Sequence, residues 1–451
     1  MKKLLTSVIL AFFSFNLTNL FSQETQLSPD SEYASPQQTY TFSIFDGTLD
    51  SFTMRQMNQN YFSISRIVNR GVEEILGNKN IWGIKLSDIV NFSLPAITMA
   101  FTHEEGHRSI LTANGIGSIS QPFFNLHGTA YVKGVTDQAL INFRDSDKAS
   151  FVRMYTAGIE SDFMMNRHSE QYAAFGLDDY SRIYPDYFSR TISLYSYQGI
   201  SSIFYCAEKG MSFYEWLTKT FYSLEEESNE FLRDIAGYDP FGAARALFNP
   251  SADFKRYVSY SDLTDEEKDF LNDRVSNKAL LNLLSPFFFG FPYFNIGEHI
   301  SFNASVGYFM VPFGDLIEEN VYFQYKGLPC RNLNFNLYAR QAQNYKNWYP
   351  AFGVRLVEFS PCEWLSVSSG VHLWWQPENL EFFTDKSIFG GAFELSAKFI
   401  LPQRLFPSKQ ISFLKSAGLE LGILWKSQGF MPEIEQHKSH FRFNIGLCLS
   451  F

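Results

Sequence analysis

Residues 103–107 read His103-Glu104-Glu105-Gly106-His107. Side chains four apart on a helix lie on one face, one turn above each other, so both imidazoles can reach a single cation. Two histidine nitrogens at that spacing suit zinc, and Glu104 between them is placed to act as a base toward water. The chain holds 8 His in 451 residues. An H-E-x-x-H pentad should arise by chance in about one in a hundred such sequences, so coincidence explains it poorly.

A zinc helix has to be buried on one side. Ile97, Ala100 and Phe101 precede the pentad and Ile110 and Leu111 follow it. Residues 86–113 carry an apolar face, with Pro95 suited to the first turn of the helix that holds the pentad and Asn114-Gly115 to its stop. Gly106 would let another backbone, or a substrate, approach closely.

A catalytic zinc takes three protein ligands and keeps one position open. The pentad resembles that of the HExxH zinc metallopeptidases, and its H-E-x-G-H form is similar to site-2-protease-like members. The resemblance implies that His103 and His107 bind Zn2+ and that Glu104 activates water for attack on a peptide carbonyl. In the gluzincin pattern a downstream helix supplies a Glu. Glu160, in Thr156-Ala157-Gly158-Ile159-Glu160-Ser161-Asp162, sits at a compatible separation on an expected helix and is the first candidate for third ligand. Asp162 could bind the metal instead, or hold a ligand histidine from behind. Asp239, in Tyr238-Asp239-Pro240-Phe241-Gly242, is the rival. The L-D-G motif of site-2-protease-like enzymes supplies an Asp, but here Tyr replaces its Leu and Pro its Gly. The third His of the elongated metzincin pattern is missing, and His168 reads as ordinary.

The pentad belongs to a helical stretch that continues to about residue 288. Further helices are expected at 149–174, 187–209, 212–235 and 265–284. Beyond 288 the pattern changes to period two. Eight alternating segments begin at 300, 321, 332, 349, 365, 393, 419 and 441, separated by turn residues. The last, residues 441–451, carries Phe441, Phe443, Ile445, Leu447, Leu449 and Phe451 at odd positions, with Arg442, Asn444, Gly446, Cys448 and Ser450 between them. A strand with one lipid-facing and one polar face has this pattern. It resembles the terminal strand of bacterial outer-membrane β-barrels, and eight is an even number, as single-chain bacterial barrels have. Short links at 327–330 and 360–362 would face the periplasm. Longer ones at 312–318, 341–346, 376–387 and 427–439 would face outward, and the link at 402–415 departs from this asymmetry.

The fold class expected is therefore α + β: an N-terminal α-helical domain followed by a C-terminal antiparallel β-barrel of about eight strands. Residues 1–22 read as a secretory signal, with Lys2 and Lys3 before an apolar Leu4-to-Phe13 core and a cut before Gln23. Residues 23–80 form an N-terminal extension, 81–288 the helical zinc domain, and 289–451 an outer-membrane barrel with the helical domain beneath it in the periplasm. Aromatic residues make up 18% of the chain, 48 of them Phe, which suits the interface girdles of a barrel. A net charge of −10 argues against nucleic acid, which needs a basic footprint. Expected partners are a peptide or protein substrate and outer-membrane lipid. A non-enzymatic outer-membrane structural or transport component, its helical domain docking a partner, is the competing function. Cys330 and Cys362 could pair or stay free, and Cys206 and Cys448 look inert in apolar surroundings.

Overall fold

The computed structural model describes residues 38–48, 52–76, 80–81, 84–121, 130–205, 227–328, 331–401 and 414–451. The secretory signal expected at residues 1–22, together with Cys206 and Cys330, lies outside them.

The chain opens with strand β1 (Tyr40–Asp46) and helix α1 (Met54–Leu76), followed by a minimal hairpin of β2 (Asn80–Ile81) and β3 (Ile84–Lys85). Helix α2 (Leu86–Ala113) carries the pentad. Pro95 lies inside it rather than in its first turn, because the apolar run extends the helix N-terminally past the proline. Gly115, at φ +74°, supplies the left-handed stop just past its end. A second small hairpin, β4 (Ile119–Gln121) with β5 (Tyr131–Lys133), leads to α3 (Asp137–Ser146), α4 (Lys148–Ala174), α5 (Tyr180–Tyr205) and α6 (Asp239–Phe248). The helix expected at 212–235 falls mostly outside the described residues, and its end holds only a 3-10 turn, Glu230–Leu232. The one expected at 265–284 is broken by a π turn at Phe270–Val275.

Strands β6 (Phe294–Ile296), β7 (Ile300–Val311), β8 (Gly314–Leu328), β9 (Arg331–Gln343), β10 (Trp348–Cys362), β11 (Leu365–Pro377), β12 (Ser387–Leu401), β13 (Ser416–Lys426) and β14 (His440–Ser450) follow. They form one antiparallel sheet in the order β1-β14-β13-β12-β11-β10-β9-β8-β7-β6. All eight expected segments are strands, but among the described residues the sheet has ten and is open: β1 and β6 are edges and do not pair, so the closed barrel is corrected. The tenth strand comes from the stretch read as an extension, where Tyr40 pairs with Leu449 and Asp46 with Asn444. Helices occupy the gap. Along the β1 edge, Asn60 of α1 accepts from Ser43 N at 2.7 Å and Gln59 donates to Thr41 O at 3.0 Å. At the other end of the sheet, Tyr184 of α5 donates to Phe288 O at 3.0 Å, just ahead of β6. Side-chain bonds from helices thus flank a sheet that no further strand among the described residues completes. The link after β7 is also shorter than expected, since β8 begins at Gly314.

The sheet is polar on its concave side and apolar on its convex side. Ser301, Asn303, Asn320, Gln324, Asn334, Asn336, His372, Lys398 and Arg442 are buried, whereas their strand neighbours Phe302, Val321, Leu337, Val371, Leu373, Phe399, Phe441 and Phe443 are exposed. The helices are not a separate body below the sheet, because α4 lies in its hollow and is buried along almost its whole length. Phe163 of α4 stacks on Phe309 with centroids 4.4 Å apart, and Arg167 pairs with Glu318 at 3.0 Å. Among the described residues no helix is long and apolar enough to cross a membrane. Cys362 is a free thiol, and Cys448 is also free and is buried.

The link between β13 and β14 folds into the hollow, where Glu433 meets His168 Nε2 at 3.3 Å and accepts from Asn58 at 2.8 Å. Burial pushes the Glu433 carboxyl up, but His168, the Asn58 amide and Arg55 outweigh it and hold the group at about 2. A depressed carboxyl stabilises the fold fully above its ordinary value near 4.5, and that contribution is lost as pH falls through about 2. We expect Glu433→Gln to remove roughly 3 kcal/mol of acid-sensitive stability. Urea midpoints at pH 7 and pH 3 check this: a wild-type acid loss that persists unchanged in the variant would rule it out.

Candidate metal centre

The approach of α2 to α4 is set by glycines. A Cβ at Gly106 would fall 2.5 Å from Ala157 O, and one at Gly158 would fall 2.4 Å from His103 Nε2. Only two bare backbones permit this separation, and it places the pentad against residues 154–162 of α4. Helix α6 brings Asp239 in as its first residue, with Pro240 in the first turn where a missing N–H costs nothing.

Three donor atoms converge there. Asp239 Oδ2 lies 3.4 Å from His103 Nε2 and 3.2 Å from His107 Nε2. The two rings stand 5.0 Å apart at 69°. This is the cluster among the described residues whose donor atoms all lie within 4.8 Å of one another. The outward nitrogens are held from behind. His103 Nδ1 pairs with Asp162 Oδ2 at 2.9 Å, and His107 Nδ1 donates to Met154 O at 2.5 Å. Arg190 braces Asp162 through its other oxygen and also donates to Thr102 at 2.8 Å and Asp186 at 2.8 Å. Tyr197 donates to Asp239 Oδ2 at 3.2 Å.

The electrostatics fit a cation. Burial would lower both imidazoles, yet Asp162 beside His103 and Asp239 beside His107 carry them upward. Burial would likewise raise Asp239, but the two rings bring it down to about 2. The site therefore favours positive charge at the point between the Nε2 atoms and Oδ2, and two imidazole nitrogens with one carboxylate oxygen are a donor set of the kind that zinc takes. Glu104 is buried next to the rings. Desolvation raises its carboxyl to about 7, with His103 and His107 pulling it back only in part. Its poise near neutrality suits a group that accepts and returns a proton.

His103, Glu104 and His107 thus stand together, and Asp162 takes the supporting role that was one of its two alternatives. Glu160 is not brought to the pair. Its two oxygens accept from Arg153 at 2.7 and 3.0 Å and from Glu433 N at 2.8 Å, deep in the hollow of the sheet. The reason is helical spacing: Arg153 lies seven residues, two turns, before Glu160 and shares its face. Asp239 lies beside the two imidazoles instead. Sequence reasoning missed Arg190, Tyr197 and the Met154 carbonyl, none of which carries a motif. It also missed Asp234, a buried carboxyl raised well above its ordinary value by desolvation and by the charges of Glu104 and Asp239.

Gly158→Ala separates local propensity from site geometry. Alanine favours a helix over glycine by about 1 kcal/mol. Here its methyl must displace the His103 ring, so we expect a fall in zinc affinity of about tenfold or more, the size seen when a ligand's support is lost. Zinc titration alongside a thermal melt reads both terms, and unchanged affinity would show that the ring has room. No family model, no curated protein and no solved structure matches this chain.

Proposed function

We propose that this chain is a zinc-dependent peptide hydrolase whose site is anchored to a lipid-facing outer-membrane sheet. The observation that carries the reading is the convergence of His103 Nε2, His107 Nε2 and Asp239 Oδ2 within 4.8 Å of one another, each ring held through Nδ1 from behind. His103, His107 and Asp239 would hold the ion, leaving a position open for chemistry. When bound, zinc supplies Lewis acidity toward a carbonyl and acidifies water. Asp162 and Met154 O keep both Nδ1 protons in place and so keep the Nε2 lone pairs turned inward. Glu104 would take a proton from the attacking water and return it to the leaving amine. Burial around it keeps bulk water from competing.

The membrane part rests on the inverted sheet. Apolar side chains on the convex side and polar ones on the concave side match strands that face lipid outside and a wet interior inside. The hollow is filled by α4 and its ion pairs, so the sheet would anchor the site rather than conduct.

Metal analysis of the purified protein tests the chemistry. We expect about one zinc per chain, lost when His103 and His107 are both replaced, and zinc-dependent cleavage of a denatured protein. Protein without stoichiometric zinc, or zinc that survives the double replacement, would remove the hydrolase reading.

A further inference from the structure

The helices that fill the gap between β1 and β6 have an outer face of their own. Their order around the gap follows from their contacts. Helix α1 bonds the β1 edge, Tyr61 of α1 bonds Thr98 of α2 at 2.8 Å, Thr102 of α2 accepts from Arg190 of α5 at 2.8 Å, and α5 bonds Phe288 ahead of β6. Together with the sheet they surround α4. Their large exposed side chains are apolar: Ile64 and Val68 on α1, Ile89 and Ile97 on α2, and Ile192 on α5, with Ile64 at 52% and Ile97 at 54% exposure. The exposed Ser93 between Ile89 and Ile97 donates to the Ile89 carbonyl of its own helix at 2.7 Å. The spacings 64/68 and 89/97 are multiples of four, so each set forms a stripe on one side of its helix.

Charge is withheld from the same zone. Residues 89–102 of α2 contain no Asp, Glu, Lys or Arg, a length of about 21 Å at 1.5 Å per residue. The charges of α1 and α5 within the band are turned inward: Arg66 pairs with Asp178, and Arg190 with Asp186. Partly exposed charges resume at one margin with Arg70–Glu74 and Arg182–Glu73, and past the other margin α2 carries the largely covered Arg108–Glu105 pair. An outward apolar band of about 25 Å between polar rims is the profile of a lipid-facing wall. A water-facing helix shows the reverse pattern, with its charges outward.

We infer that the outer face of α1, α2 and α5 contacts bilayer hydrocarbon and completes, with helices, the lipid-facing wall that the open sheet leaves unfinished. This rests on the reading of the convex sheet face as lipid-facing. It extends that reading because the helical part would then be part of the wall, with the pentad just past the end of the band on α2.

The full-length protein, reconstituted in phosphatidylethanolamine and phosphatidylglycerol vesicles, carries a photoreactive benzophenone side chain at one position at a time. Val68, Ile97 and Ile192 probe the helices, Phe393 and Leu419 the sheet, and Glu266 is the aqueous control. On illumination we expect adducts heavier by one phospholipid at both helix and sheet positions and none at Glu266. Lipid adducts at Phe393 and Leu419 without any at the helices would overturn the inference and leave the sheet reading standing. No lipid adduct at either set would sink both. Cross-links from the helix positions to a second copy, or within the chain, would overturn it in favour of a protein-covered face.

Discussion

Replacing Glu104 by Gln should abolish hydrolysis while leaving zinc in place. The substitution keeps the shape of the side chain and removes only its capacity to take a proton. Positioned acid–base catalysis contributes about 10²–10⁴-fold, and the loss in kcat/KM should fall in that range. Zinc content should not move, because Glu104 is absent from the set of atoms that converge on the ion position. The paired measurement is what gives the test its force. Lost activity with lost zinc would indicate structural damage. Retained activity with retained zinc would show that some other group handles the proton, such as Asp234, a buried acid that feels the charges of Glu104 and Asp239.

The second large effect distinguishes Asp239 from Glu160, the carboxylate that motif reasoning ranks first. Asp239→Ala should weaken zinc binding by more than about a hundredfold, since disturbing a supporting partner of a ligand already costs about 10–100-fold. Glu160→Gln should leave the zinc isotherm unchanged and instead lower stability by about 3–5 kcal/mol, the usual cost of leaving a buried partner charge without its mate. That partner is Arg153, which also donates to Ile434 O at 2.7 Å and Glu435 O at 3.0 Å and so ties α4 to the link between β13 and β14. A zinc titration and a urea melt on each variant read the two outcomes. Glu160→Gln losing its metal with the fold intact, while Asp239→Ala keeps it, would reverse the assignment.

The placement of Glu160 away from the histidines has a physical source. Two histidines and a base within five residues are a local pattern that helix periodicity alone brings together. A third ligand is a long-range fact. Sequence separation limits which acids can reach the pair but does not say which way a helix turns its face. Helix α4 turns Asp162 toward His103 and Glu160 toward Arg153, two residues and about 200° apart on the same helix.

The strands were legible for the same local reason. Period-two alternation marks which residues lie on one side of a sheet, and all eight segments from 300 to 451 carry it. What the chain's own pattern determined was therefore local: the zinc-type pentad on a helix, the eight alternating strands, and an apolar and a polar face for each. Tertiary structure alone decided three things. It left the sheet open, drew β1 from the N-terminal stretch onto β14, and delivered Asp239 from α6 to the histidines. Each depends on packing between segments far apart in sequence. The glycine crossing of α2 on α4 and the helices along the edges of the sheet set those distances, and no periodicity within one segment encodes them.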